Sequence, residues 1–163
     1  MKYKELFFMP IIIMTIGCAP GAKITIAKTT TDNDALLYVF RPSCAPIALE
    51  PTVFINDIEV AELYNDGYFY IELKPGKYHI KILWSFVSGV RPQSTVIELI
   101  ARPGTVHYIR VYTHMNMAGP RLSPIYVSEN NASIIDTNKS LPFMGSYRLI
   151  GKRPGVENII MPQ

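Results

Sequence analysis

The side chains able to do chemistry are few and scattered. The chain of 163 residues carries two cysteines, Cys18 and Cys44, and three histidines, His79, His107 and His114. His79 and His107 fall at similar places in two look-alike segments, but no histidine has a carboxylate at zinc-binding spacing. Imidazoles placed like this belong to strand edges and surfaces, so no metal is expected. The patterns HExxH, CxxC, GxSxG and GxGxxG are absent, which removes the common zinc-hydrolase, redox, serine-hydrolase and dinucleotide chemistries. The run GSYRLIGK at 145–152 approaches a phosphate loop. Five residues separate its glycines instead of four, however, and Arg153 stands where a metal-binding hydroxyl is needed. Asp32, Asn33 and Asp34 lack the glycine and distal Glu of a calcium loop. No catalytic residue, enzyme activity or cofactor is therefore expected.

Two features remain. Tyr68, Tyr70, Tyr108 and Tyr112, with Arg110, share the outward parity of their segments. Tyr and Arg are frequent anchors at interfaces, and tyrosine rings can equally stack on sugars. The competing reading is that half-exposed Tyr is simply a good strand residue, later covered by the segment 44–51 or by the expected C-terminal helix.

The second feature is Cys18. Residues 1–5 carry Lys2 and Lys4, residues 6–17 are apolar, and small residues follow. That is the order of a secretory signal: charged start, apolar middle, small residue at the cut. Twelve apolar residues reach roughly 18 Å as a helix, against roughly 30 Å of hydrocarbon, too short for a membrane span. Thr15, Ile16, Gly17 and Cys18 resemble the bacterial lipobox, with Thr15 where Leu, Val or Ile is usual. There a thiol accepts a diacylglyceryl group, and the small Gly17 leaves the scissile bond open. Acyl chains at about 0.8 kcal/mol per buried CH₂ would hold the protein on a bilayer. Cys18 is thus the expected lipid-attachment site, and Cys44 is then left without an intrachain disulfide partner. Ala19 is not the Asp that retains many such proteins in the inner membrane, so the resemblance implies the outer membrane, or the cell membrane if the organism has only one.

Behind these groups stands a strand-rich chain. Hydrophobic residues make up 48% of it and there are ten Tyr and thirteen Pro, a composition of strands joined by turns. Net charge is +3 and scattered, without the basic stripe that nucleic-acid binding requires. Residues 1–17 read as a signal peptide, 18–34 as a lipidated start and flexible tether with a possible strand at 24–26, 35–150 as one domain, and 151–163 as a Pro/Gly-rich tail. Asn56 and Asp57 predict a tight hairpin. IELKPGKYHIKI and IELIARPGTVHYIRV each place Pro-Gly between strands and read as hairpins. Alternation assigns Phe69, Ile71, Leu73, Tyr78, Ile80, Ile82, Trp84, Ile97, Leu99, Ile109 and Val111 to the inner face. The expected fold is all-β: an antiparallel β-sandwich (immunoglobulin- or transthyretin-like) or a partly closed barrel. A short C-terminal helix capped by Ser128 and a final strand near 147–150 complete it.

ALLYVFRP, VFIND with IEVAEL, NDGYFYIELKPGKYHIKI and RPGTVHYIRV together resemble a bacterial lipoprotein family known as domain of unknown function 2846, over about residues 35–128. The resemblance implies a lipoprotein signal and no assigned activity. The reading is then a lipid-anchored, periplasm-facing structural or protein-interaction module of the envelope, with the membrane and an envelope protein as partners and no nucleic acid. The alternatives are a binder or sensor of a small ligand, lipid or glycan and, further off, an unrecognised hydrolase.

Overall fold

The computed structural model describes residues 33–43, 50–84, 93–118, 125–136, 147–156 and 162, with the side chains of 115–129 outside the description. The expected leader, Cys18, most of the tether with its strand at 24–26, and Cys44 lie outside the described residues. Nine strands are present among them: β1 (Ala35–Arg41), β2 (Thr52–Ile55), β3 (Ile58–Glu62), β4 (Gly67–Leu73), β5 (Gly76–Trp84), β6 (Gln93–Ala101), β7 (Val106–Ala118), β8 (Ile125–Ile135) and β9 (Arg148–Leu149). They form a five-stranded sheet, β8-β7-β1-β4-β9, and a four-stranded sheet, β3-β2-β5-β6. Both sheets are open, so the fold is a sandwich and not a closed barrel.

Alternation decides the inner faces. Phe69, Ile71, Leu73, Tyr78, Ile80, Ile82, Trp84, Leu99, Ile109 and Val111 all join one buried cluster between the sheets, and Ile97 packs against it half-buried. Strand β1 is different, because all seven of its residues are buried. It pairs antiparallel with β4 on one side and parallel with β7 on the other. A central strand covered on both faces needs a continuous apolar run, and ALLYVFR supplies one. Its terminal Arg41 is fully buried as well, with Nη1 donating to the Leu63 carbonyl at 3.1 Å.

The β2–β3 hairpin follows its turn residues: Asn56 and Asp57 sit at φ 49° and 63°, the two positive angles of a type I′ turn. The two Pro-Gly turns do not make hairpins. β4 and β6 each pass through Pro-Gly into a strand of the opposite sheet. Pro and Gly set the local bend but not the partner. β4 already lies between β1 and β9, and β5 between β2 and β6. Asp34 ties the two corners together. Its carboxylate accepts from Lys74 Nζ at 3.0 and 3.1 Å, and its carbonyl accepts from the Gly104 amide at 2.9 Å.

The helix expected after Ser128 is absent. That segment is β8, antiparallel to β7 with Val111 opposite Ala132 and Tyr108 opposite Ile135. Asn and Ser are poor helix-interior residues, and a long neighbouring strand offers ladder hydrogen bonds that outweigh one cap. The final strand forms as β9, parallel to β4. Packing then continues past Ile150, because Val156 is buried in the inter-sheet core.

Residues 147–156 act as a strap. The Arg148 and Ile150 amides donate to the Asp66 and Tyr68 carbonyls at 2.7 and 2.8 Å, and the Arg153 amide donates to the Val60 carbonyl at 2.8 Å. The strap therefore runs from the edge of β4 in one sheet to the edge of β3 in the other. Arg153 also pairs with Glu59 through Nη2 and Oε1. At the crossing point a Cβ on Gly67 would lie 2.8 Å from the Tyr64 carbonyl and 3.1 Å from Ile150 Cγ2, so only glycine fits without a shift.

Candidate functional site

The outer face of the five-stranded sheet is built from the even positions of β1, β4 and β7. Register places Tyr38 opposite Tyr70 on one side and opposite Tyr108 on the other, with Phe40 between Tyr68 and Arg110. Rings at adjacent positions on a pleated surface pack. Tyr38 lies 5.2 Å from Tyr108, near-parallel at 10°, 5.7 Å from Tyr70 and 6.5 Å from Tyr68. From the strap, Tyr147 places its ring 5.5 Å from Phe40. Leu36, Tyr38, Phe40, Tyr68, Tyr108 and Tyr147 make a second buried cluster, flanked by Tyr70 and Ile135.

The five residues marked by sequence are therefore divided. Tyr68 and Tyr108 are buried. Burial holds both phenols above their ordinary value of 10.0, with the neighbouring Tyr70 adding to the effect at Tyr68. Tyr70 and Tyr112 are half-buried and Arg110 is exposed. The Arg110 guanidinium sits 5.2 Å from the centre of the Tyr112 ring, and Lys152 of the strap sits 5.3 Å from that of Tyr70, both in cation–π range. What remains reachable is two separate ring–cation pairs, Lys152 with Tyr70 and Arg110 with Tyr112, beside a buried aromatic layer. Each can stack on a flat apolar or sugar face and can attract an anion.

Tyr38, at the centre of the layer, and Tyr147 carried no signal of this role. In ALLYVFRP both faces are apolar, which hides the alternation that would have set Tyr38 beside Leu36 and Phe40. Tyr147 arrives from far along the chain. Lys152 also lines a shallow groove of about 300 Å³ between β3 and the strap, with Ala61, Glu62, Tyr64, Gly151, Arg153 and Pro154.

The histidines do not gather. His79 is exposed on β5 in the four-stranded sheet, while His107 and His114 lie on β7. Among the described residues no three His, Cys, Asp or Glu side chains are placed to hold a metal ion. His107 Nε2 is 2.9 Å from Thr105 Oγ1. The same hydroxyl donates to the Arg102 carbonyl at 2.7 Å, so its lone pair is what faces the ring and His107 donates from Nε2. Burial, helped by Arg102, holds this imidazole below its ordinary value.

Residues 31–121 match the family described as protein of unknown function (DUF2846). No curated protein matches the chain.

Proposed function

The chain belongs to the protein family of unknown function DUF2846, and on that premise we propose that it is a lipid-anchored module of a bacterial cell envelope. In this reading Cys18 carries the lipid, residues 19–34 form the tether, and the sandwich faces the periplasm from the outer membrane, or from the cell membrane of a single-membrane organism. Its work is structural, through contact with another envelope protein. The observation that supports this most is the run FFMPIIIMTIGCAPG, an apolar segment too short to span a bilayer that ends on Gly17 and a thiol. A sealed two-layer core with two separate ring–cation pairs beside it suits contact more than turnover.

The test is the mass of the N-terminal peptide of the chain extracted from membranes. A peptide beginning at Cys18 with added acyl mass is the expected result. An unmodified Cys18 would overturn the anchor. Crosslinking in intact cells then addresses the partner: enrichment of an envelope protein over a Cys18→Ser control is expected, and repeated failure to enrich any would remove the contact role.

A second reading, a glycan or small-ligand binder, is favoured by one observation, the half-exposed Tyr70 and Tyr112 beside Lys152 and Arg110. With Tyr68 and Tyr108 buried, it rests on Tyr70→Ala and Tyr112→Ala weakening glycan retention. Unchanged retention in both would dismiss it.

A further inference from the structure

The four-stranded sheet has one long edge that is finished like the inside of a sheet. Strand β6 is the outermost strand of the four-stranded sheet and pairs with β5 over nine consecutive residues without a register shift. Among the described residues, no backbone hydrogen bond reaches its far side, and its one side-chain tie to the other sheet is at its first residue, where Gln93 Oε1 accepts from Asn130 Nδ2 of β8 at 2.9 Å. Natural edges are guarded by lysine, proline, bulges or extreme shortness. Strand β6, QSTVIELIA, has none of these. Its single charge is Glu98, and its outward face holds Val96 and Ile100, each 56% exposed. The edge of β3, in contrast, is bulged at Val53/Phe54 in its pairing with β2 and is occupied by the strap.

We propose that β6 pairs with β6 of a second copy of this chain, antiparallel about a two-fold axis at Ile97, to join two four-stranded sheets into one of eight strands. Self-pairing is argued from the strand's own register. Ile97 is the midpoint of β6, so an axis there is the one arrangement that pairs all nine residues, with Gln93 opposite Ala101. The same axis keeps the two Glu98 carboxylates apart and sets each opposite Val96 of the other copy. One strand further in lies Lys81, which faces Val96 within its own sheet. Glu98 thus lies over an aliphatic neighbour of the other copy, while the Lys81 ammonium stays with Asp57 of its own chain at 3.0 Å. Shifting the axis to residue 98 would place the two carboxylates face to face, which is destabilising. Such an interface is isologous and closed, so it stops at two chains. This inference stands apart from the lipid anchor, since it concerns the strand edge alone.

The register makes a charge test possible. Val96→Glu sets a carboxylate opposite Glu98 of the other copy, and does so twice across the axis; Val96→Lys sets an ammonium there instead. Both remove the same apolar side chain from an exposed position. The full chain in detergent micelles is measured by light scattering with the detergent mass subtracted, over about a thousandfold range of concentration. The wild type is expected to pass from one chain to two. Val96→Glu should raise the dissociation constant about tenfold or more, and Val96→Lys should leave it within about threefold. Circular dichroism of both variants reports that the fold is kept. A wild type that stays single at the highest concentration overturns the proposal. So does a pair of chains equally stable in both variants, as would be seen if they met only through their N-termini, or a single chain that carries a strand of another protein.

Discussion

The two flanks of the sandwich are finished in opposite ways. On one flank, residues 147–156 cross from β4 to β3, donate three backbone amides to the two edges, and bury Val156 between the sheets. On the other, β6 runs its full nine residues with Val96 and Ile100 in solvent. Among the described residues, the same four-stranded sheet therefore has one guarded edge and one edge without a backbone partner. An unguarded strand edge is a hazard in a protein that must stay alone. Keeping one beside a carefully closed one is what a surface reserved for pairing would look like. The contrast also says where stability resides, in the strap and the two buried layers, while β6 can be altered on its outward face without touching either.

Matched substitutions break the comparison most sharply. Val156→Asp places a carboxylate in the inter-sheet core, and about 3 kcal/mol or more of stability should be lost. Val96→Asp makes the same change on the bare edge and should stay within about 0.5 kcal/mol. Urea midpoints of the two proteins check the pair, and equal losses would mean that the flanks are not different in kind. Next in size is Gly67→Ala, where the added methyl meets the Tyr64 carbonyl and Ile150. A loss of about 1–3 kcal/mol is expected, with the amides of β9 exchanging faster. Smaller still is Arg153→Ala. Its pair with Glu59 is largely solvated, so about 0–1 kcal/mol should go, and that loss should shrink as salt is added.

The smallest effect belongs to the corner that ends β6. His107 is held below its ordinary value of 6.5 by burial and by Arg102. Above pH 6.5 both folded and unfolded chains hold it neutral, and its contribution is fully present. As pH falls below that value the unfolded chain takes up the proton first, so stability declines until the folded state protonates too. Replacing it in His107→Gln should flatten this acid limb of the pH–stability curve, and an unchanged limb would assign the decline to other groups.

Much of this architecture was legible in the residues. Period-two alternation in β4, β5 and β7 found the inner face because each of those strands has one face toward the core. Asn56 and Asp57 announced their turn because few residues accept two positive φ angles in succession. The Pro-Gly turns misled because their chemistry is local, and which sheet receives the next strand depends on edges already taken. The strand at PIYVS was legible and forms the start of β8, but residues 128–135 misled because Ser128 offers a helix cap, while their true partner is β7. At the candidate site the parity of Tyr68, Tyr70, Tyr108, Arg110 and Tyr112 was readable, but not their cover. Tyr38 is masked by the apolar run around it, and Tyr147 comes from the far end of the chain. Only Tyr70, Tyr112 and Arg110 of those five keep contact with solvent.

The most direct test of the two-flank account is amide hydrogen exchange on the full chain at low and high protein concentration. The account predicts that the Arg148, Ile150 and Arg153 amides exchange slowly at both concentrations, because each is bonded within one chain. Alternate amides of β6 should exchange fast in the dilute sample and slow in the concentrated one, as a second copy covers the edge. Protection along β6 that is the same at both concentrations, or strap amides as fast as those of bare β6, would contradict it.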